Sequence, residues 1–294
     1  MTTNTRKVRF LAITAVVFTQ VGPVHALTVS FDYRYDTNGF FNDQRKQTLQ
    51  MAGDVFSTRL NDTLNATGGI SSTFASPGGT GGNVTLSNFA ASADTVTVFV
   101  GGRSLGGTTL GLGGPVFNSG NRGEGSNDFA PLFGTISFNS DANWYFDTDP
   151  RDVEAFNGSD FFSVALHELG HVLGIGLAPT WNNKLVGTSG NFTAFSGTNA
   201  RTAFGGSNPG VTADGDHWRE GLQSRVNGVA QEAAFDPTLT TGRRKYLTDV
   251  DWAALQDIGW EVAATPVPLP AAVWLLGSSL VAVFTTGLRR RTRA

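Results

Sequence analysis

Cysteine is absent from this chain, which removes disulfides and thiolate metal ligands from consideration. Histidine is nearly as scarce, with four in 294 residues, and methionine occurs only at Met1 and Met51. Charged residues amount to 15% of the chain. There is no basic stripe, no phosphate-cradling P-loop and no dinucleotide fingerprint, so nothing points to nucleotide or nucleic-acid binding. Glycine, by contrast, is abundant at 37 residues. A cysteine-free, glycine-rich, weakly charged chain suits an exported protein that does not rely on disulfides.

Both ends read as targeting segments. Arg6-Lys7-Val8-Arg9, the apolar run Phe10 to Phe18 and Val24-His25-Ala26 have the three parts of a secretory signal peptide, predicting cleavage after Ala26. The apolar stretch is short for a transmembrane anchor. At the other end, Pro266-Val267-Pro268-Leu269-Pro270 precedes the eighteen mostly apolar residues Ala271–Leu288 and the basic Arg289-Arg290-Arg291-Thr292-Arg293. This predicts a membrane span with a cytoplasmic C-terminus. Proline motif, single span and arginine cluster together resemble the PEP-CTERM sorting signal of Gram-negative bacteria. That resemblance implies handling by an exosortase-type enzyme and delivery of the domain to the cell surface or the medium. Val267-Pro268-Leu269-Pro270 stands in place of the family's Pro-Glu-Pro, which leaves the processing position open, and a plain C-terminal anchor is the alternative. The expected organisation is therefore signal peptide 1–26, one catalytic domain 27–264 and sorting tail 265–294. Seven of the 21 basic residues lie in the two ends, which carry no acid, so fourteen remain against 24 acidic residues and the domain is near −10. An acidic exported domain is a poor nucleic-acid partner.

Two of the scarce histidines occur in His167-Glu168-Leu169-Gly170-His171. On a helix, residues four apart lie about 40° apart around the axis and roughly 6 Å along it, so the two imidazoles share a face. That bite suits a tetrahedral Zn²⁺ with nitrogen ligands at about 2.0–2.1 Å. Glu168 projects about 100° further round, placed to hold a metal-bound water rather than the metal. Phe161, Phe162, Val164, Ala165, Leu166, Leu169, Val172, Leu173 and Ile175 make the segment apolar nearly all round, predicting a buried helix that stops at Gly174. Burying a carboxylate and two imidazoles there costs several kcal/mol unless a partner satisfies them, and a divalent cation does so. Hydrogen-bonded core histidines are the bland alternative.

The run His167-Glu168-Leu169-Gly170-His171-Val172-Leu173-Gly174 resembles the metzincin metalloproteases. That family places a third ligand six residues after the second histidine, where this chain has Leu177. The leishmanolysin-like metzincins carry an insertion before the third histidine, and Ala178 to Gly210, rich in Gly, Asn, Ser and Thr, reads as such an inserted loop. The resemblance then implies His217, in Asp214-Gly215-Asp216-His217-Trp218, as third ligand, with Asp214, Asp216 and Glu220 as alternatives. Metzincins also set a methionine turn beneath the zinc. Ala234-Phe235-Asp236-Pro237 resembles that turn in position, with Phe235 where methionine would sit. Tyr246 would stand where some metzincins place an oxyanion-stabilising tyrosine.

The remaining pattern predicts an α+β domain: a small mixed sheet, a long N-terminal helix, the active-site helix, a C-terminal helix and Gly-rich loops. Leu27 to Tyr35 alternates as a strand, and Asp36-Thr37-Asn38-Gly39 turns the chain. Asn42 or Asp43 caps a helix whose stripe is Leu49, Ala52, Phe56, Leu60 and Leu64. Residues 78–125 hold fourteen glycines and read as turns around strands near Val84–Phe89 and Thr95–Val100, with a further strand at Thr135–Phe138. Thr248 caps the last helix, with Asp251 as the partner in a variant capping box. Asp36, Asn38, Asp147 and Asp149 place oxygens in turns, but their spacing lacks an EF-hand pattern and no Ca²⁺ site is expected there. The expected function is a zinc endopeptidase in which Glu168 draws a proton from zinc-bound water attacking a peptide carbonyl. The alternative is a non-enzymatic surface or matrix protein with a structural or relic zinc site.

Overall fold

A computed structural model describes residues 27–117, 122–123, 128–152 and 154–264. The expected signal peptide and sorting tail both lie outside the described residues. No helix among the described residues is long and apolar enough to cross a membrane.

The architecture is mixed α+β. Strand β1 (Thr28–Asp32) leads into helix α1 (Asp43–Ser57), then the hairpin of β2 (Ile70–Ala75) and β3 (Asn83–Phe89). Strands β4 (Thr95–Arg103), β5 (Gly111–Val116) and β6 (Phe133–Asn139) follow, then the short pair β7 (Trp144–Tyr145) and β8 (Ser159–Asp160). Helix α2 (Phe161–Val172) carries the HELGH run. After it come α3 (Pro179–Asn182), the hairpin β9 (Leu185–Thr188) and β10 (Asn191–Phe195), and α4 (Thr198–Ala203). The hairpin β11 (Gln223–Val226) and β12 (Val229–Glu232) precedes α5 (Asp249–Asp257).

The main sheet has four strands in the order β1-β4-β6-β5. β1, β4 and β6 are parallel, while β5 runs antiparallel to β6 and forms an edge. Alternation along the strands serves two cores, as the pleat requires. Val96, Val98, Val100, Ile136 and Phe138 face α1 and α2, whereas Phe99 and Phe133 face the β2–β3 hairpin with Phe74 and Leu86. Phe99 and Phe133 meet edge to face at 5.2 Å.

The first strand is shorter than its alternation suggests, because the Tyr33 carbonyl already accepts from Asp36 N in a turn. Asn42 caps α1 by accepting from Arg45 N. Leu60 and Leu64 fall beyond the end of α1 yet are buried, so the apolar stripe outlasts the helix. In α2 every residue except His167 is buried. Asp160 caps it, accepting from Ser163 N at 3.2 Å and Ser163 Oγ at 2.6 Å. Gly174, at φ 103, lies just past its end. The Asp160 carboxylate is met by Arg244, whose guanidinium also reaches Asp147.

The stretch 178–210 is not a loop but a folded insertion of α3, a β-hairpin and α4. Its polar composition hides the residues that hold it: Trp181, Phe195 and Ala200 are fully buried. Trp181 stacks on Phe195 at 4.1 Å and packs on Trp218, while Asp257 of α5 accepts from Asn199 N and Ala200 N.

Candidate metal centre

His167 and His171 project from one face of α2, and His217 arrives from the segment after the folded insertion. The Nε2 atoms of His171 and His167 are 3.0 Å apart, and those of His171 and His217 are 3.1 Å apart. These contacts are not hydrogen bonds between the α2 rings. His167 Nδ1 lies 2.8 Å from the Ala234 carbonyl and His171 Nδ1 lies 2.8 Å from the Ile175 carbonyl. A carbonyl only accepts, so each Nδ1 carries the proton and donates. In the neutral ring Nε2 is then a bare lone pair. Burial, with the neighbouring rings adding to it, drives His167 well below the usual histidine value. Burial does the same to His171, down to about 4, with His217 adding to the effect. His217 is also lowered, burial outweighing the pull of Asp214. Two lone pairs face each other at hydrogen-bond distance with no proton between them.

A divalent cation between them would relieve that arrangement. Nitrogen ligands at about 2.0–2.1 Å around a tetrahedral centre stand about 3.3–3.4 Å apart, within a few tenths of an ångström of the spacing present. The donor set, three imidazoles without a thiolate or ligating carboxylate, suits Zn²⁺ among common ions.

The third histidine is carried by a well-anchored segment. Trp218 is fully buried and its indole Nε1 donates to Asp251 Oδ1 at 2.8 Å. Trp218 N donates to the Phe235 carbonyl at 2.9 Å, and His217 N donates to Thr212 Oγ1 at 3.2 Å. Gly176 lets this segment come close, since a Cβ there would stand 2.1 Å from the Asp216 carbonyl oxygen. Phe235 is fully buried below the rings, its centroid 5.5 Å from that of His167 and 6.1 Å from that of His171. Gly170 makes room for it: a Cβ at 170 would meet Phe235 Cζ at 1.9 Å. Asp251 knits floor, ligand and last helix together, accepting from Ala234 N at 3.0 Å and from both Thr248 N and Thr248 Oγ1 at 2.7 Å.

Most of the other candidate oxygen ligands are engaged elsewhere. Asp214 Oδ1 accepts from Thr212 Oγ1 and Asp216 N, and Glu220 accepts from Thr238 Oγ1. Asp216 lines the cavity beside the triad but makes no part of it. Asp36 accepts from the Phe40, Phe41 and Gly102 amides, Asn38 donates to the Gly79 and Gly102 carbonyls, and Asp147 and Asp149 pair with Arg244 and Arg151. These four do not gather into a cation site. Tyr246 Oη donates to the Pro150 carbonyl at 2.6 Å and does not line this cavity.

The triad opens onto a cavity of about 540 Å³ walled by β5, the α2 face and residues 234–239. Leu110, Leu112, Leu177, Pro237 and Leu239 give it an apolar lining, and Glu168 sits on its wall. Burial pushes the Glu168 carboxyl up to about 8, a backbone hydrogen bond from Gly113 working against that rise. Sequence reasoning missed two things here. One is β5, concealed in a glycine-rich stretch whose only signal is Gly111-Leu112-Gly113-Gly114. The other is Lys245, which lines the cavity with its ammonium bound to Asp236, Glu232 and the Thr238 carbonyl.

The family model described as SPBPB7E8-like matches residues 129–193. That stretch runs from just before β6 through most of β10, so it takes in His167, Glu168 and His171 but stops short of His217. No curated protein matches the chain.

Proposed function

We propose that this chain is a zinc-dependent endopeptidase of metzincin-like fold. The reading rests on one observation: three imidazole Nε2 atoms converge while both α2 rings spend their Nδ1 protons on carbonyls, beside a buried glutamate at an apolar cleft. His167, His171 and His217 would hold the ion. Bound zinc supplies Lewis acidity and brings water within reach of deprotonation near neutral pH.

The chain's own groups do the rest. Glu168, one residue after the first ligand, takes the proton of the attacking water and delivers it to the leaving amine. The cleft wall β5 is an antiparallel sheet edge, and an extended peptide laid against such an edge is held by main-chain hydrogen bonds with little regard to side chain. Leu110, Leu177 and Leu239 offer contacts for apolar side chains around the cleaved bond. Glu168 also separates this reading from a structural zinc site, which closes its fourth position and has no use for a base. Support for the metzincin-like assignment comes from the element order and from Phe235, which occupies the floor where the family keeps methionine.

The two ends of the sequence support an exported precursor held at the inner membrane through Ala271–Leu288, then processed by an exosortase-type enzyme and delivered to the surface or medium of a Gram-negative bacterium. The substrate is a protein or peptide. Casein or gelatin hydrolysis by the zinc-loaded protein tests the reading, with a chelator arm and a Glu168→Gln arm. Turnover abolished in both arms is the expected result. Stoichiometric zinc with no turnover of any polypeptide would favour a non-enzymatic surface or matrix protein instead.

A further inference from the structure

The strand flanking the cleft does more than offer an edge. A Cβ at Gly111 would stand 2.4 Å from Glu168 Oε1, 2.7 Å from its Cδ and 2.7 Å from its Cγ. A Cβ at Gly113 would stand 2.8 Å from Glu168 Oε2 and 2.6 Å from the Glu168 carbonyl oxygen. Side chains two apart on a strand share a face, so the two glycines open one bare patch of backbone toward α2. Leu112 between them points the other way and is half exposed at 53%. Both glycines pair with β6, Gly111 opposite Phe138 and Gly113 opposite Ile136, so the patch is fixed by the sheet. Glycine in a strand interior weakens the strand, and often marks a close approach by another group. Here the group that approaches is the glutamate carboxylate.

We infer that Gly111 and Gly113 are positioning residues: together they form a side-chain-free seat on β5 that fixes the carboxylate of Glu168 beside the histidine triad. This deepens the reading of Glu168 as the general base and rests on it. The seat has two parts. Gly111 leaves the volume that one carboxylate oxygen fills, and Gly113 leaves the room taken by the other oxygen and by the Glu168 carbonyl. A methyl group at 111 displaces only side-chain atoms of Glu168, whereas one at 113 also strikes backbone. Gly111→Ala is therefore the discriminating variant.

Two measurements on the zinc-loaded full chain test the seat. In the first, Gly111→Ala is expected to keep one zinc per chain and its KM while kcat falls about 100-fold, the scale of a misplacement near 1 Å. An unchanged kcat, or a loss carried by KM or by zinc content, overturns the inference. The second is a thermal-unfolding cycle that needs no turnover. Gly111→Ala is expected to lower Tm in the wild-type background and to leave it unchanged or raise it in the Glu168→Ala background, where the new methyl fills vacated space. Folding rescued by Glu168→Ala counts the same way. Equal losses in both backgrounds overturn the seat. Should the wild-type protein cleave nothing, the endopeptidase reading fails, yet the cycle still decides whether Glu168 rests on Gly111.

Discussion

Scarcity made the histidine cluster legible at the scale of single residues. With four histidines in the chain and one of them, His25, in the stretch that reads as a signal peptide, the choice of nitrogen ligands was narrow, and helical spacing put two on one face. The convergence of His217 was less accessible, because 46 residues separate it from His171 and the chain between them had to fold first. The glycine seat was hidden for another reason: glycine has no side chain whose chemistry a sequence pattern announces. The roles assigned to these residues separate cleanly by variant. Glu168→Gln keeps the shape and the three imidazoles but cannot take up a proton. It should retain one zinc per chain while turnover drops about 10²- to 10⁴-fold, the usual span for a general base. Zinc analysis alongside peptide cleavage checks this, and parallel loss of zinc would remove Glu168 from the role of base. His217→Ala should do the reverse. The α2 rings keep their carbonyl partners, so the fold survives, but two ligands hold zinc poorly. Equilibrium dialysis should show zinc content below one per chain at concentrations that saturate the wild type.

At the scale of elements, the long periodic segments were readable and the glycine-rich ones were not. α1, α2 and α5 announce themselves through apolar stripes and caps, and β4 through its valines. β5 is Gly-Leu-Gly-Gly-Pro-Val, with no β-branched residue before its last position, and forms because β6 pairs with it along its whole length. The insertion after α2 misled in the same way, its three buried anchors diluted among polar residues. Holding α2 in place falls partly to Arg244, which bridges Asp160 at the helix N-terminus and Asp147, with side chains only 9%, 0% and 11% exposed. The guanidinium is held firmly protonated by these carboxylates against the cost of its burial. Removing one member of a buried ion pair strands the others, so Arg244→Met should cost about 3–5 kcal/mol in denaturant unfolding. A loss below 1 kcal/mol would mean that water already reaches the cluster. The floor of the site is equally tight. Gly170→Ala drives a methyl into Phe235, and overpacking of this kind costs about 1–3 kcal/mol. Trimming the partner in Gly170→Ala/Phe235→Leu should recover part of it, which the same unfolding assay would register.

For the whole molecule, the C-terminal end of the described domain is stitched to the stretch that follows α1. Glu261 N donates to both oxygens of Asp62 at 3.0 and 3.1 Å, Asn61 N donates to the Glu261 carbonyl at 3.0 Å, and Leu60 bridges Val262. Burial pushes the Asp62 carboxyl up to about 6, Glu261 and Asp128 adding repulsion while the Glu261 amide pulls the other way. An aspartate in the unfolded chain ionises near 3.9. Below about pH 4 both states hold the proton and Asp62 costs nothing. Between about pH 4 and the folded value near 6, the unfolded chain has already released the proton that the folded one keeps, so stability declines as pH rises. Above that window both states are ionised and the decline stops. Asp62→Asn retains an oxygen to accept from Glu261 N but has nothing to ionise. Its unfolding free energy should therefore fall less than the wild type's across pH 4–6, with the gap constant above it. The histidine cluster must be kept out of this comparison, because protons compete with any bound metal for histidine in the same range. Measuring both proteins in chelator does so, at the expense of the linkage stabilisation that bound metal provides, about 2.7 kcal/mol at a free concentration one hundred times Kd. Parallel curves for the two proteins in chelator would show that the carboxyl ionises freely in the fold and that the seam between Asp62 and Glu261 is open to solvent.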